Sequence, residues 1–181
     1  MSTSSSPLTQ LAAACESEGL TAANGEKIAA VLAGQFKIQP EDVGILRLEN
    51  ESLVFVHPAK LHDVGRIPLN NSSSAAVRTL NTKRPEIMNN FTKTKHTSFF
   101  EMVDVSGKPF VAGAKTSAKT SKDKLTIQKL MSVPVIVTDR AVGVVQVCRK
   151  GATLAAAGPD FVSSDLQKLV SLAGVLAKCF R

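Results

Sequence analysis

The chain of 181 residues has no tryptophan and no tyrosine, and its 8 phenylalanines are the only aromatics. An interface or base-stacking platform built on Trp and Tyr is thereby excluded. Only three cysteines occur, Cys15, Cys148 and Cys179. They are too few for a disulfide framework and too scattered for a zinc site, and their apolar neighbours predict buried, reduced thiols. No apolar run approaches the roughly 20 residues that span a bilayer. The longest candidate, Leu166 to Phe180, is broken by Gln167, Lys168 and Lys178. No Lys or Arg precedes Lys27, so the charged start of a secretory signal is missing. The stretch Leu11 to Cys15 has the look of a lipoprotein cleavage box but neither the basic start nor the apolar run that such a box follows. A cytoplasmic protein with no membrane partner is the expectation. Gly107, Gly113, Gly143 and Gly151 are too dispersed for a phosphate-cradling loop, and neither a Gly-Lys-Ser/Thr triplet nor a Gly-x-Ser-x-Gly elbow is present.

What is present is ordinary globular material, 44% apolar and 20% charged, enough for one domain or one domain plus an arm. The net charge of +7 is unevenly spread. Residues 1–58 hold 3 basic and 7 acidic side chains, whereas residues 59–151 hold 16 and 6. The positive charge is densest at Lys115, Lys119, Lys122 and Lys124, within a Ser/Thr/Ala/Gly stretch. Such a run either solvates a loop or attracts an anion. Nucleic acid is not an expected partner, because there is no helix-turn-helix pattern, no Arg-rich helix and no Phe interleaved with the lysines.

Ser6-Pro7 opens a helix whose Leu8, Leu11, Ala12 and Cys15 fall on one side, and Gly19 stops it. A second helix is predicted over about 24–36, with Ile28, Val31, Leu32 and Phe36 inward. Residues 43–48 and 53–56 read as a hairpin around the polar turn 49–52. Residues 64–69 are a third strand candidate, 75–82 a short helix and 86–89 a short strand. Residues 90–126 read as a long polar excursion with one helical turn near 99–103. A segment of that length in a compact domain has a functional reason. Residues 133–137 and 141–149 form the clearest strand pair. The first is apolar on both faces, which predicts a central, doubly covered strand. In the second, Val144, Gln146 and Cys148 share a face, with Gln146 its polar exception. Ser164-Asp165-Leu166-Gln167 fits a capping box for the last helix. That helix carries two apolar stripes, and the second of them needs cover from the N-terminal helices or from another subunit.

The stretch Arg66-Ile-Pro-Leu-Asn70, then Ser72 to Leu80, then Lys83-Arg-Pro-Glu-Ile87 resembles a GAF domain. The later pair Ser132-Val-Pro-Val-Ile-Val-Thr-Asp-Arg-Ala-Val-Gly-Val-Val-Gln146 is similar to that family's central strands, and Phe161, Asp165 and the closing helix to Ala177 also match. The resemblance covers roughly residues 24–180, with residues 1–23 as an N-terminal arm. It implies an α+β fold with an antiparallel sheet of about six strands. Terminal helices pack on one face, and crossover loops and short helices on the other close a small-molecule pocket. It also implies a regulatory, dimerising module without catalysis or cofactor, acting on a signalling partner. The pocket between the sheet and residues 90–131 would be lined by Phe91, Phe99, Phe100, Met102 and Met131. His96 and Gln146 would hold polar groups, and Lys115 and Lys119 would draw an anionic ligand to the mouth.

Other uses of such a fold find less support. Asn89-Asn90-Phe91-Thr92-Lys93 lacks the following Asp-Glu pair that a cyclic-nucleotide site would carry. No cysteine falls within residues 50–140, where the redox cysteines of a methionine sulfoxide reductase are expected. For a bilin, which needs a thiol near the pocket, none is well placed, since Cys15 and Cys179 fall on terminal helices and Cys148 late in the second hairpin strand. Haem or iron would need ligands from His57, His62 or His96. A structural dimerisation module whose pocket is plugged by Phe99, Phe100 and Met102 is the principal alternative, and a small redox or metal enzyme the weaker one.

Overall fold

The computed structural model describes residues 7–63, 66–93 and 125–180. Two helices open the chain, α1 (Pro7–Glu18) and α2 (Ala22–Phe36), then strands β1 (Val43–Glu49) and β2 (Ser52–His57). A two-residue strand β3 (Ile67–Pro68) leads to α3 (Ala75–Thr82) and β4 (Glu86–Met88). Two 12-residue strands, β5 (Thr126–Val137) and β6 (Arg140–Gly151), precede α4 (Ser163–Leu176). The six strands form one sheet in the order β3-β2-β1-β6-β5-β4, every pair antiparallel. This is the α+β architecture expected from the resemblance.

Local chemistry sets the boundaries. Gly19 (φ +74°) ends α1, its N–H donating to the Cys15 carbonyl at 2.8 Å. Thr21 caps α2 by accepting from the Asn24 N–H at 3.2 Å, so that helix begins earlier than its apolar stripe suggests. Both tight hairpins turn through paired left-handed residues, Asn50 and Glu51 in one and Thr138 and Asp139 in the other. That is the turn whose twist matches a two-residue antiparallel connection. The expected capping box of α4 is half realised. The helix starts at Ser163, so the capping position falls on Val162, which has no side-chain acceptor; Asp165 still accepts from the Val162 N–H at 3.0 Å.

Two expectations about strands need correction. β5 begins at Thr126, not Val133, because Gln128 and Lys129 are polar yet only 6% and 4% exposed. β5 also lies one strand in from the edge, while β1 and β6 are central. Its pairing with β4 ends at Ser132, two residues before Pro134, where a residue without an N–H is tolerated. The third strand shortens to Ile67–Pro68, with residues 64–65 outside the described residues, as is the turn expected near 99–103.

The main core lies between the sheet and α1, α2 and α4. It joins Leu8, Ala12 and Cys15 of α1 and Ile28, Leu32 and Phe36 of α2 to Val43, Ile45, Val133, Val145 and Val147 of the sheet and Leu169, Ala173 and Leu176 of α4. The second stripe of the last helix is covered in part from within the chain, with Leu176 and Cys179 buried and Leu172 and Val175 half-buried. Cys179 donates its thiol to the Ala12 carbonyl at 3.8 Å.

At Gly143 the fit tolerates no side chain. An added Cβ would stand 2.3 Å from the Phe180 ring and 2.4 Å from the Leu46 carbonyl. Gly143→Ala is expected to lower stability by about 2–3 kcal/mol, read as a shifted denaturant midpoint with an unchanged m-value.

His57 is 6% exposed and donates from Nε2 to the Pro40 carbonyl at 3.0 Å, so Nε2 carries the proton and Nδ1, buried and without a partner among the described residues, does not. Burial above all holds its pKa below the ordinary 6.5, against the smaller opposing pull of the Pro40 carbonyl and of Glu26 and Glu41. The unfolded chain therefore takes up this proton first. Stability is full above about pH 6.5 and is lost as pH falls from there through the folded-state value. Melting temperature between pH 7.5 and 5 should fall more steeply for the native chain than for His57→Gln.

Candidate functional site: the sheet face beneath α3

Along β6 the side chains alternate. Val145 and Val147 enter the helix-side core, while Val144, Gln146 and Cys148 face the other way. On β5 Met131 and Val133 join the helix side, and Leu130 and Ser132 oppose them. The face away from the terminal helices is covered by α3, whose Ala76, Val77 and Leu80 pack on Leu46, Leu53, Phe55 and Val144. Ser74 starts α3 by accepting from the Val77 N–H at 3.4 Å. Arg78 clamps Glu86 of β4 at 2.6–3.1 Å, which fixes the helix against the sheet edge.

Within this apolar layer sits a polar trio. The Thr79 hydroxyl donates to Ser132 Oγ at 2.8 Å, and Gln146 Nε2 donates to the same oxygen at 3.2 Å. Ser132 and Gln146 are register partners on β5 and β6. Thr79 and Ser132 are fully buried and Gln146 is 4% exposed. Phe91, in the short turn after β4, is 1% exposed and packs on Ala75, Ile127, Leu130 and Cys148.

Of the residues expected to line a pocket, Gln146 and Phe91 lie on this face. Met131 does not: the two-residue period of β5 sends it into the helix-side core, where it is fully buried. His96, Phe99, Phe100, Met102, Lys115 and Lys119 lie outside the described residues. Thr79, Ser132 and Cys148 were not foreseen as part of the site. Reading β5 from Thr126 would have placed Ser132 as a lone hydroxyl in a buried strand, opposite Gln146.

The thiols divide between the faces. Cys148 belongs to the α3 side, whereas Cys15 and Cys179 belong to the helix side, with the sheet between them. Burial first, and then the adjoining Cys15 thiol, push the Cys179 thiol up to about 12, far from a reactive thiolate at neutral pH. No cluster of three His, Cys, Asp or Glu suited to a metal occurs among the described residues. Nor is any helix among them long and apolar enough to cross a membrane. A hollow of about 380 Å³ lies away from this trio, at the α1–α2 junction, bordered by Glu18, Thr21, Arg47 and His62. Arg47 is already held there by Glu49 and the Leu20 carbonyl.

The chain matches no known family model and no curated protein. Its fold, by contrast, has many solved counterparts. The GAF domain of an Acinetobacter phosphoenolpyruvate-protein phosphotransferase superposes with a TM-score of 0.61 at 15% identity, over 96% of this chain and 89% of that one. The corresponding domain from Coxiella burnetii gives 0.56 at 12% identity, over 94% and 90%. A free methionine-R-sulfoxide reductase from Neisseria meningitidis, solved with its substrate, gives 0.56 at 19% identity, over 96% and 85%. The chain therefore has the GAF fold, which it shares with GAF domains of phosphotransferases and with free methionine sulfoxide reductases.

Ser132→Ala removes the shared acceptor and leaves the Thr79 hydroxyl and the Gln146 amide buried and unpaired. The expected cost is about 1–3 kcal/mol. Adding Thr79→Val to Ser132→Ala should recover part of it, a non-additivity that denaturant titration of the two single variants and the double variant measures.

Proposed function

We propose that this chain is a non-catalytic sensory or regulatory GAF module. It binds a small molecule on the sheet face that carries Ser132 and Gln146, against residues 90–131. What carries the reading is the Thr79–Ser132–Gln146 trio. A buried polar cluster in an otherwise apolar layer offers hydrogen-bonding groups to a ligand whose body the surrounding Phe91, Leu130 and Cys148 would enclose. GAF domains of phosphotransferases and a segment of a methyl-accepting chemotaxis protein among the structural counterparts support a regulatory role. The module would dimerise through its terminal helices and act in the cytoplasm by changing its affinity for a signalling protein. A ligand can do this only through unequal affinity for two states of the module.

A second reading has its own observation. Phe91 is packed as tightly as any core residue, which suits a face filled by side chains and a purely structural dimerisation module. A catalytic reading in the manner of the reductases would have to use Cys148 without either of the other two thiols, which lie across the sheet.

Native mass spectrometry of the purified full chain separates these readings. The sensor reading predicts a dimer carrying an additional small mass that is released on denaturation and reduced in Gln146→Leu. A dimer with no added mass, both as purified and after incubation with a metabolite extract, would support the structural module and overturn the sensor reading.

A further inference from the structure

At the end of the β5–β6 hairpin far from its turn, two cations face each other. Lys129 and Arg149 are direct register partners on the helix side of the sheet. Like charges in directly opposed positions destabilise an antiparallel pair. Lys129 is compensated: its side chain is 4% exposed, and Nζ donates at 2.6 Å to both the Gly158 carbonyl and Asp160 Oδ1. The next residue, Lys150, pairs with Asp42 at 2.8 Å. Arg149 has neither ion pair nor hydrogen bond among the described residues. Its guanidinium lies 4.8 Å above the Phe161 ring centroid, and its Nε is buried with no partner.

Arg149 as a whole is half-buried, but an enclosed, unpaired Nε donor carries a desolvation cost, and a bound water or ion is among its recognised explanations. Elsewhere in this protein the same side of the guanidinium holds a carboxylate. Arg47 grips Glu49, and Arg78 grips Glu86, each through Nε and Nη2 together. In Arg149 the remaining nitrogen, Nη1, is turned to the loop backbone. A Cβ on Gly158 would stand 3.3 Å from it, and Gly158 holds φ +90°, a conformation glycine adopts without strain. Among the described residues no carboxylate meets the Nε–Nη2 side of Arg149.

We propose that Arg149, stacked on Phe161 and paired across the strands with Lys129, is the recognition group of an oxyanion site beneath the 152–161 loop. The ligand is a small carboxylate or phosphate, held side-on by the guanidinium in the manner of Glu49 on Arg47. Because Nε is enclosed, entry requires that loop to yield, and the anion then links β6 to the segment leading into α4. The site lies on the opposite face of the sheet from Ser132 and Gln146 and does not depend on the ligand proposed there.

The test is thermal unfolding of the full chain with sodium phosphate, and separately sodium acetate, replacing sodium chloride at constant ionic strength. The native chain and the exposed control Arg140→Gln should show a saturable rise in melting temperature, on the order of 3 °C, with at least one of the two anions. Arg149→Gln should show only the unsaturable remainder that such salts give any protein. In the native chain, the Arg149 Nε–Hε resonance should shift with the same midpoint, a readout that needs no variant to fold. Equal saturable rises in the native chain and Arg149→Gln, or an Nε–Hε resonance unmoved by either anion, would overturn the proposal.

Discussion

The two-residue alternation of β5 and β6 is the constraint on which the rest of this structure depends. These are the longest strands among the described residues, and between the register shifts at Ile127/Lys129 and Val135/Ile136 their side chains alternate without a break between the two faces. Val133, Val135, Val145 and Val147 give the terminal helices a continuous aliphatic surface. Leu130, Ser132, Val144, Gln146 and Cys148 give α3 and Phe91 a surface that is mostly apolar but holds hydrogen-bonding groups at its centre. A slip of one residue would exchange these sets, turning Gln146 into the helix-side core and the valines to the α3 side.

This division separates chemistry as well as packing. The thiols of Cys15 and Cys179 are enclosed where α1 meets the end of the chain, and burial keeps Cys179 protonated. Cys148 is alone on the other face. The sheet therefore keeps Cys148 apart from the other two thiols, while Cys15 and Cys179 adjoin each other on the helix side. The polar trio, conversely, is held by three separate elements, α3, β5 and β6. A ligand that competes for the Ser132 oxygen would act on the docking of α3, and through the Arg78–Glu86 clamp on β4. That gives the proposed sensor a defined path from binding to a change of shape at the sheet edge.

The helices and both hairpins were legible because their signals are local. Pro7, Gly19 and Thr21 punctuate the N-terminal helices, and the turns at Asn50-Glu51 and Thr138-Asp139 separate clear apolar runs. What was not legible depended on tertiary compensation. The first half of β5 is hidden by Gln128 and Lys129, which are buried only because Gly151, Gly158 and Asp160 receive them. Without that half the alternation that turns Met131 to the helix side and Ser132 to the α3 side is not visible in the sequence. Thr79 is invisible for a similar reason, since a threonine on a short helix reads as surface until its partner across 53 residues is known. The assignment of Gln146 to a shared face with Val144 and Cys148 was correct, because strict alternation needs no knowledge of the partner strand.

The most direct measurement is the set of nuclear Overhauser contacts made by the Gln146 side-chain amide protons in isotopically labelled protein. The account predicts contacts to Ser132 and to the methyl group of Thr79, together with contacts from the Val145 and Val147 methyls to residues of α2 and α4. Contacts from the Gln146 amide to Leu32 or Leu169 would mean that the faces of β6 are reversed, and the site beneath α3 would not exist.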